Sequence, residues 1–132
     1  MKKVIVSRPS FPNFKFNELL KPKDKERWQV LCGDENHWRL GIYSPEYTQE
    51  SDITQLESHN CPEMFVLMEG RLSLLLYYEE SKSFKTLELK KGEPIMVTTW
   101  HDGFCPDGPF TGKALVIERD QFETLYKKRE DF

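Results

Sequence analysis

The sequence of 132 residues lacks any long apolar run; no segment approaches the roughly 18 residues of a membrane-spanning helix. Net charge is also small, -3 from 19 basic and 22 acidic residues, with the two signs interspersed along the chain. A nucleic-acid footprint gathers basic side chains on one face, so neither nucleic acid nor an acidic membrane is an expected partner. Cysteine is scarce: Cys32, Cys61 and Cys105 are an odd number with no close pairing. The basic opening MKK precedes an apolar run, Val4 to Val6, much shorter than the roughly 7–15 residues of a signal core. Reduced thiols and a cytoplasmic location are therefore expected. There is no glycine-rich phosphate loop with its lysine, no G-x-S-x-G elbow and no paired C-x-x-C zinc framework. No repeat or linker divides residues 1–132, which read as a single domain.

What is present is enough apolar surface for a core, with 38% hydrophobic and 13% aromatic residues. Residues 28–119 read as short strands separated by turns. HWRLGIYS alternates, with Trp38, Leu40 and Ile42 on one side, and the alternation continues through ESDITQLESH. EMFVLM, LSLLLYYEE, FKTLELK, PIMVTTW and KALVIER follow, punctuated by EGR, SKS and KKGE, with WHDGFCPDGPFTG as an irregular loop. This rhythm predicts an all-β sandwich or barrel. DQFETLYKKREDF reads as a short C-terminal α-helix over about 120–130, with Asp120 and Glu123 at capping-box spacing and Lys127, Lys128 and Arg129 at its end. Val4 to Val6 is a candidate edge strand.

The chemistry concentrates in ESHNCPEMFVLMEGRLSLLL, residues 57–76. Two-residue spacing puts Glu57 and His59 on one face of a strand, and Pro62 turns the chain so that Glu63 opens the next strand toward the same space. Two carboxylates and an imidazole on a buried face need a neutraliser, and a divalent cation such as iron(II), manganese or zinc suits them. His101 is the obvious additional ligand; with His59 and either carboxylate it would complete a two-His, one-carboxylate set. His101 also reads as a plain loop residue. Glu57 has three open roles: ligand, acceptor that fixes the ring of His59, or general base if burial raises its pKa. Trp38, Trp100, Phe104 and Phe110 read either as core or as an aromatic lining over the site. Cys61 and Cys105 read as small buried apolar residues, with a thiolate ligand as the alternative. His37 reads as a solvated strand end.

The stretch resembles the first motif of the cupin superfamily, G-x5-H-x-H-x3,4-E-x6-G: His59 stands at the second histidine, Glu63 at the glutamate and Gly70 at the closing glycine. GEPIMVTTWHDGF falls where the second motif, G-x5-P-x-G-x2-H-x3-N, should follow, with Gly92 at its opening. The resemblance covers about residues 37 to 118. Ser51 replaces the leading glycine and Glu57 the first histidine. Thr98 and Trp100 replace the second motif's proline and glycine; His101 sits two positions before the expected histidine, which is Gly103; and no asparagine follows. The family's set of three histidines and one glutamate is thus not intact. The resemblance implies a double-stranded β-helix (jelly-roll) barrel with the site inside and dimerisation through sheet edges. Two functions follow. One is a divalent-metal-dependent oxygenase, isomerase or lyase acting on a small organic molecule, with iron, manganese, zinc or nickel held by His59, Glu63, His101 and Glu57, and Glu57 moving the proton. The other is a metal-free barrel that binds a small molecule without chemistry.

Overall fold

The computed structural model describes residues 1–3, 11, 14–15 and 17–132; the expected edge strand at Val4 to Val6 lies outside them. Ten strands follow in order: β1 Trp28–Asp34, β2 Trp38–Tyr43, β3 Gln55–His59, β4 Glu63–Glu69, β5 Ser73–Tyr78, β6 Ser83–Glu88, β7 Ile95–Val97, β8 Trp100–Phe104, β9 Lys113–Arg119 and β10 Thr124–Lys128. They form two five-stranded antiparallel sheets, ordered β1-β2-β9-β4-β7 and β10-β3-β8-β5-β6. No described strand pairs across from one sheet to the other, so the expected closed barrel is instead two open sheets facing each other.

The chain changes sheets at two points that matter for the site. Residues 60–62 carry it from β3 to β4, with Pro62 unable to donate to either ladder. Thr98 and Thr99 carry it from β7 to β8, so PIMVTTW is two short strands in different sheets. The segment after Trp100, expected as a loop, begins as β8, and His101 is a strand residue paired with Glu57 on one side and Leu76 on the other. CPDGPFTG is an ordered connection: Phe110 N–H donates to the Pro45 carbonyl and Ser44 Oγ to the Gly112 carbonyl. Gly70 turns β4 into β5 at φ 67°, where a Cβ would meet the Thr111 carbonyl oxygen at 2.1 Å. That explains why the motif ends on glycine.

Two apolar clusters hold the sheets. Phe65, Leu67, Leu74, Leu76, Val97 and Val116 belong to one cluster. Ile53, Leu56, Leu75 and Phe104 form the other, covered by Tyr77, Phe84, Trp100 and Phe132. Leu74 to Leu76 are therefore buried without a break, because both faces of β5 are covered.

The expected C-terminal helix over 120–130 is not formed; the segment is β10 followed by a 3-10 turn, Arg129–Asp131. Asn60 N–H donates to the Glu123 carbonyl and Glu123 N–H to Asn60 Oδ1, which aligns β10 beside β3 from Thr124–His59 to Lys128–Gln55. The edge of β3 offers a row of backbone donors and acceptors that a strand satisfies and a helix cannot. Tertiary pairing thus overrides local propensity.

Phe132 ends this cover with ring centroids 4.6 Å from Tyr77, 5.4 Å from Phe84 and 5.5 Å from Trp100. Phe132→Ala should lower the unfolding free energy by about 2 kcal/mol, below the usual loss for a fully buried ring because Phe132 is half-buried. Urea titration checks this; an unchanged midpoint would mean that the C-terminal cover contributes nothing to stability.

Candidate metal centre

Glu57, His59 and His101 project from β3 and β8, in the second sheet, and Glu63 faces them from the start of β4, in the first. All four residues named from the sequence therefore meet. Glu63 Oε1 lies 2.8 Å from His59 Nε2 and 3.0 Å from His101 Nε2. Glu57 Oε1 lies 3.7 Å and 3.6 Å from the same two nitrogens. Glu57, His59 and His101 each offer a ligand atom within 4.8 Å of the others. Ligands bound about 2.0–2.2 Å from one ion stand about 3–3.6 Å apart, which all four distances approach.

Despite those separations, Glu63 Oε1 and His101 Nε2 are buried and make no hydrogen bond. The distances allow one, but the N–H direction does not. The ligand atoms of Glu57, His59 and His101 come close enough together for one ion, and Glu63 Oε1 stands against both imidazoles. The far nitrogen of each ring is occupied: His101 Nδ1 is 2.8 Å from the Thr99 carbonyl oxygen, and His59 Nδ1 is 2.8 Å from Thr124 Oγ1. A proton donated to Thr99 leaves the Nε2 lone pair of His101 facing the cluster, the tautomer a metal ligand needs. The donor set of two imidazoles and two carboxylates fits iron(II), manganese, zinc or nickel.

Burial works against every charge here, and mutual contacts outweigh it. Burial lowers His59 and His101, yet the Glu57 and Glu63 carboxylates beside them push them up to about 9 and about 10. Burial raises Glu57, yet the two imidazoles pull it down to about 2; Glu63 moves in the same direction. The condition set for Glu57 as a general base, a pKa raised by burial, is therefore not met in the metal-free cluster. Its side chain is 35% exposed and faces the cavity, whereas those of His59, Glu63 and His101 are 5–7% exposed.

A cavity of about 290 Å³ opens over the cluster, bordered by Trp28, Tyr43, Phe65, Phe122 and Tyr126. These are not the aromatics expected from the sequence. Trp100 and Phe104 belong to the covered cluster on β5 and β8, and Trp38 packs on Phe11. Cys61 and Cys105 are buried and do not line the cavity. His37 is exposed, with Nδ1 2.8 Å from the Glu35 carbonyl oxygen. Four polar residues went unnoticed in the sequence: Arg27, Arg39, Glu118 and Thr124. Glu118 was legible in KALVIER, where Ala114, Val116 and Glu118 alternate onto one buried face. Arg27 donates to Glu46 and Asp102, and Tyr43 also donates to Asp102, which braces one side of the cavity.

No protein-family model and no curated protein matches this sequence. Solved structures do match the fold. An uncharacterized conserved protein with a double-stranded beta-helix domain from Klebsiella pneumoniae subsp. pneumoniae aligns over 88% of this chain and 96% of its own, at TM-score 0.57 and 14% identity. A cupin-2 domain containing protein from Shewanella frigidimarina aligns over 76% and 85%, at TM-score 0.53 and 17% identity. The chain has the cupin fold. FeII HppE shares this fold over 80% of this chain, at TM-score 0.55 and 12% identity; the chain spans 62% of that protein. At these identities the cupin likeness speaks for architecture alone.

The cluster predicts opposite pH trends for metal-free and metal-loaded protein. His59 and His101 titrate above their ordinary 6.5, so their stabilisation is complete below about pH 6.5 and is lost as pH rises through 9 to 10. Metal needs both rings deprotonated and gains affinity over the same interval. Chelator-treated protein should lose thermal stability from pH 7 to 10 relative to His101→Gln, while added zinc should raise Tm more at pH 9 than at pH 6. Parallel melting curves for wild type and variant would refute the coupled cluster.

Proposed function

We propose that His59, His101, Glu63 and Glu57 hold one divalent cation, and that the protein is a metal-dependent enzyme acting on a small organic molecule, of oxygenase, isomerase or lyase type. The observation that carries this is the pair of buried, unbonded atoms, Glu63 Oε1 and His101 Nε2, 3.0 Å apart. An unbonded buried polar atom costs about 1–3 kcal/mol, and shared coordination removes that cost. The iron(II) of FeII HppE, on the same fold, supports the choice of metal class. A cation in this position supplies Lewis acidity toward a substrate oxygen. The chain's own part is to orient and shield. Thr99 and Thr124 fix the imidazoles, the cavity aromatics exclude water, and Glu57 is the cluster member nearest an incoming molecule. A proton released from substrate would pass to Glu57 if coordination by the cation frees it from the imidazoles.

A second reading has its own observation. With both histidines protonated, two imidazoliums and two carboxylates balance without any ion, as their pKa values favour at neutral pH. On that reading the cavity binds a small molecule without chemistry. Elemental analysis of protein purified without metal-affinity resin separates the two. The enzyme reading expects near one equivalent of iron, manganese, zinc or nickel, reduced at least tenfold in His59→Ala and in His101→Ala. Wild-type protein that stays metal-free after incubation with each cation would establish the self-neutralised cluster instead.

We also place the protein in the cytoplasm as a homodimer. Three buried free thiols agree with a reducing compartment. Leu40, Ile117, Met64 and Met96 form a cross-strand row on the first sheet, with Ile117 and Met96 exposed, which offers a second copy an apolar contact. Ile117→Lys should convert a dimer to a monomer in light scattering coupled to size exclusion. A wild type already monomeric at all concentrations would remove the dimer.

A further inference from the structure

The first sheet carries a second polar feature that metal binding does not use. Gly33, Arg39, Glu118, Glu63 and Val97 stand side by side across β1, β2, β9, β4 and β7. Arg39 is thus two strands from Glu63, about 10 Å at the backbone, and lines the same cavity. Its Nε donates to Glu118 Oε1 at 3.2 Å, on a carboxylate only 2% exposed. Its guanidinium carbon lies over two rings, 5.5 Å from the Trp28 centroid and 5.1 Å from that of Phe122. Trp28 reaches this position because β2 has glycine beneath it: a Cβ on Gly41 would meet the indole at 2.3 Å.

This clamp fixes the plane of the guanidinium and leaves its terminal edge unspent. Among the described residues, neither Nη of Arg39 makes a hydrogen bond, although the side chain is only 25% exposed. Arg27, the other arginine at the cavity, has both Nη groups committed, to Glu46 and Asp102. A planar, pre-oriented pair of N–H donors matches a carboxylate bidentately. Aromatic walls and a volume of about 290 Å³ suit a compact apolar body attached to it.

We propose that Arg39 recognises the carboxylate of a small organic acid, whose apolar body lies along Trp28 and Phe122 and whose far end points to the His–Glu cluster. This rests on the reading of the cavity as the functional site and adds the class of molecule it takes. Trp28, Gly41 and Glu118 are positioning residues; Arg39 is the one that touches the ligand.

Titration calorimetry with 3-phenylpropionate and 3-phenylpropionamide, on zinc-loaded and on chelator-treated protein, tests it. The acid should bind wild type about tenfold or more tighter than the amide in both preparations, because Arg39 is not a metal ligand. Arg39→Gln should erase that preference with metal content unchanged, and Arg39→Lys, which keeps charge but not the planar fork, should retain only part of it. Equal binding of acid and amide by wild type, no heat from the acid, or a preference that survives in Arg39→Gln would each overturn the proposal. If Arg39→Gln does not fold, the wild-type ratio and Arg39→Lys still decide. A preference present in metal-free protein that binds no cation would leave Arg39 as the receptor while ending the metalloenzyme reading.

Discussion

The structure depends on one buried contact, the carboxylate of Glu63 set against the Nε2 atoms of His59 and His101 at 2.8 and 3.0 Å. Glu63 comes from one sheet and the two imidazoles from the other, so the contact ties the layers where apolar packing gives way to polar groups. Charges taken that far from water are tolerated only when paired or coordinated. The chain meets that demand by fixing each ring from behind, His101 through the Thr99 carbonyl at the sheet crossover and His59 through Thr124 on β10. Removal of one member would strand the others, which makes the cluster a poor device for stability and a good one for holding an ion.

The polar zone extends along the first sheet because the pleat repeats inward positions on neighbouring strands. Glu63 is beside Glu118, and Glu118 beside Arg39. Glu118 has its second oxygen buried without a partner, and its pKa is raised by burial and by the charge of Glu63, against the pull of Arg39. Two carboxylates and a guanidinium in one row leave that part of the interior unsuited to tight apolar packing. A cavity remains there, whereas Phe65, Leu67, Leu74 and Leu76 close the rest.

Much of this was legible in the sequence. The all-β rhythm, Glu57 and His59 on one face, and Pro62 delivering Glu63 to the same space all follow from two-residue periodicity and the geometry of proline. The alternation of Trp38, Leu40 and Ile42 was also visible, but periodicity does not tell which side faces the cavity. Arg39, Gly41 and Tyr43 occupy that side, and so the arginine was overlooked. His101 was ambiguous for a different reason: β8 follows β7 after only two residues and belongs to the other sheet, a crossover with no glycine or proline to mark it.

The misread C-terminal segment shows how far the site reaches beyond the motif. Residues 122–132 carry charges and apolar side chains at helical spacing, but the unpaired edge of β3 determines their conformation. Once they lie along that edge, Phe122 comes 4.6 Å from the ring of His59, Thr124 meets its Nδ1, and Arg129 bonds the Glu50 side chain while Phe132 seals the second core. The orientation of a candidate ligand on β3 is therefore set by a strand 65 residues later in sequence. Loss of that strand would free His59 to rotate and open the β3 edge together, which couples the integrity of the site to the integrity of the fold.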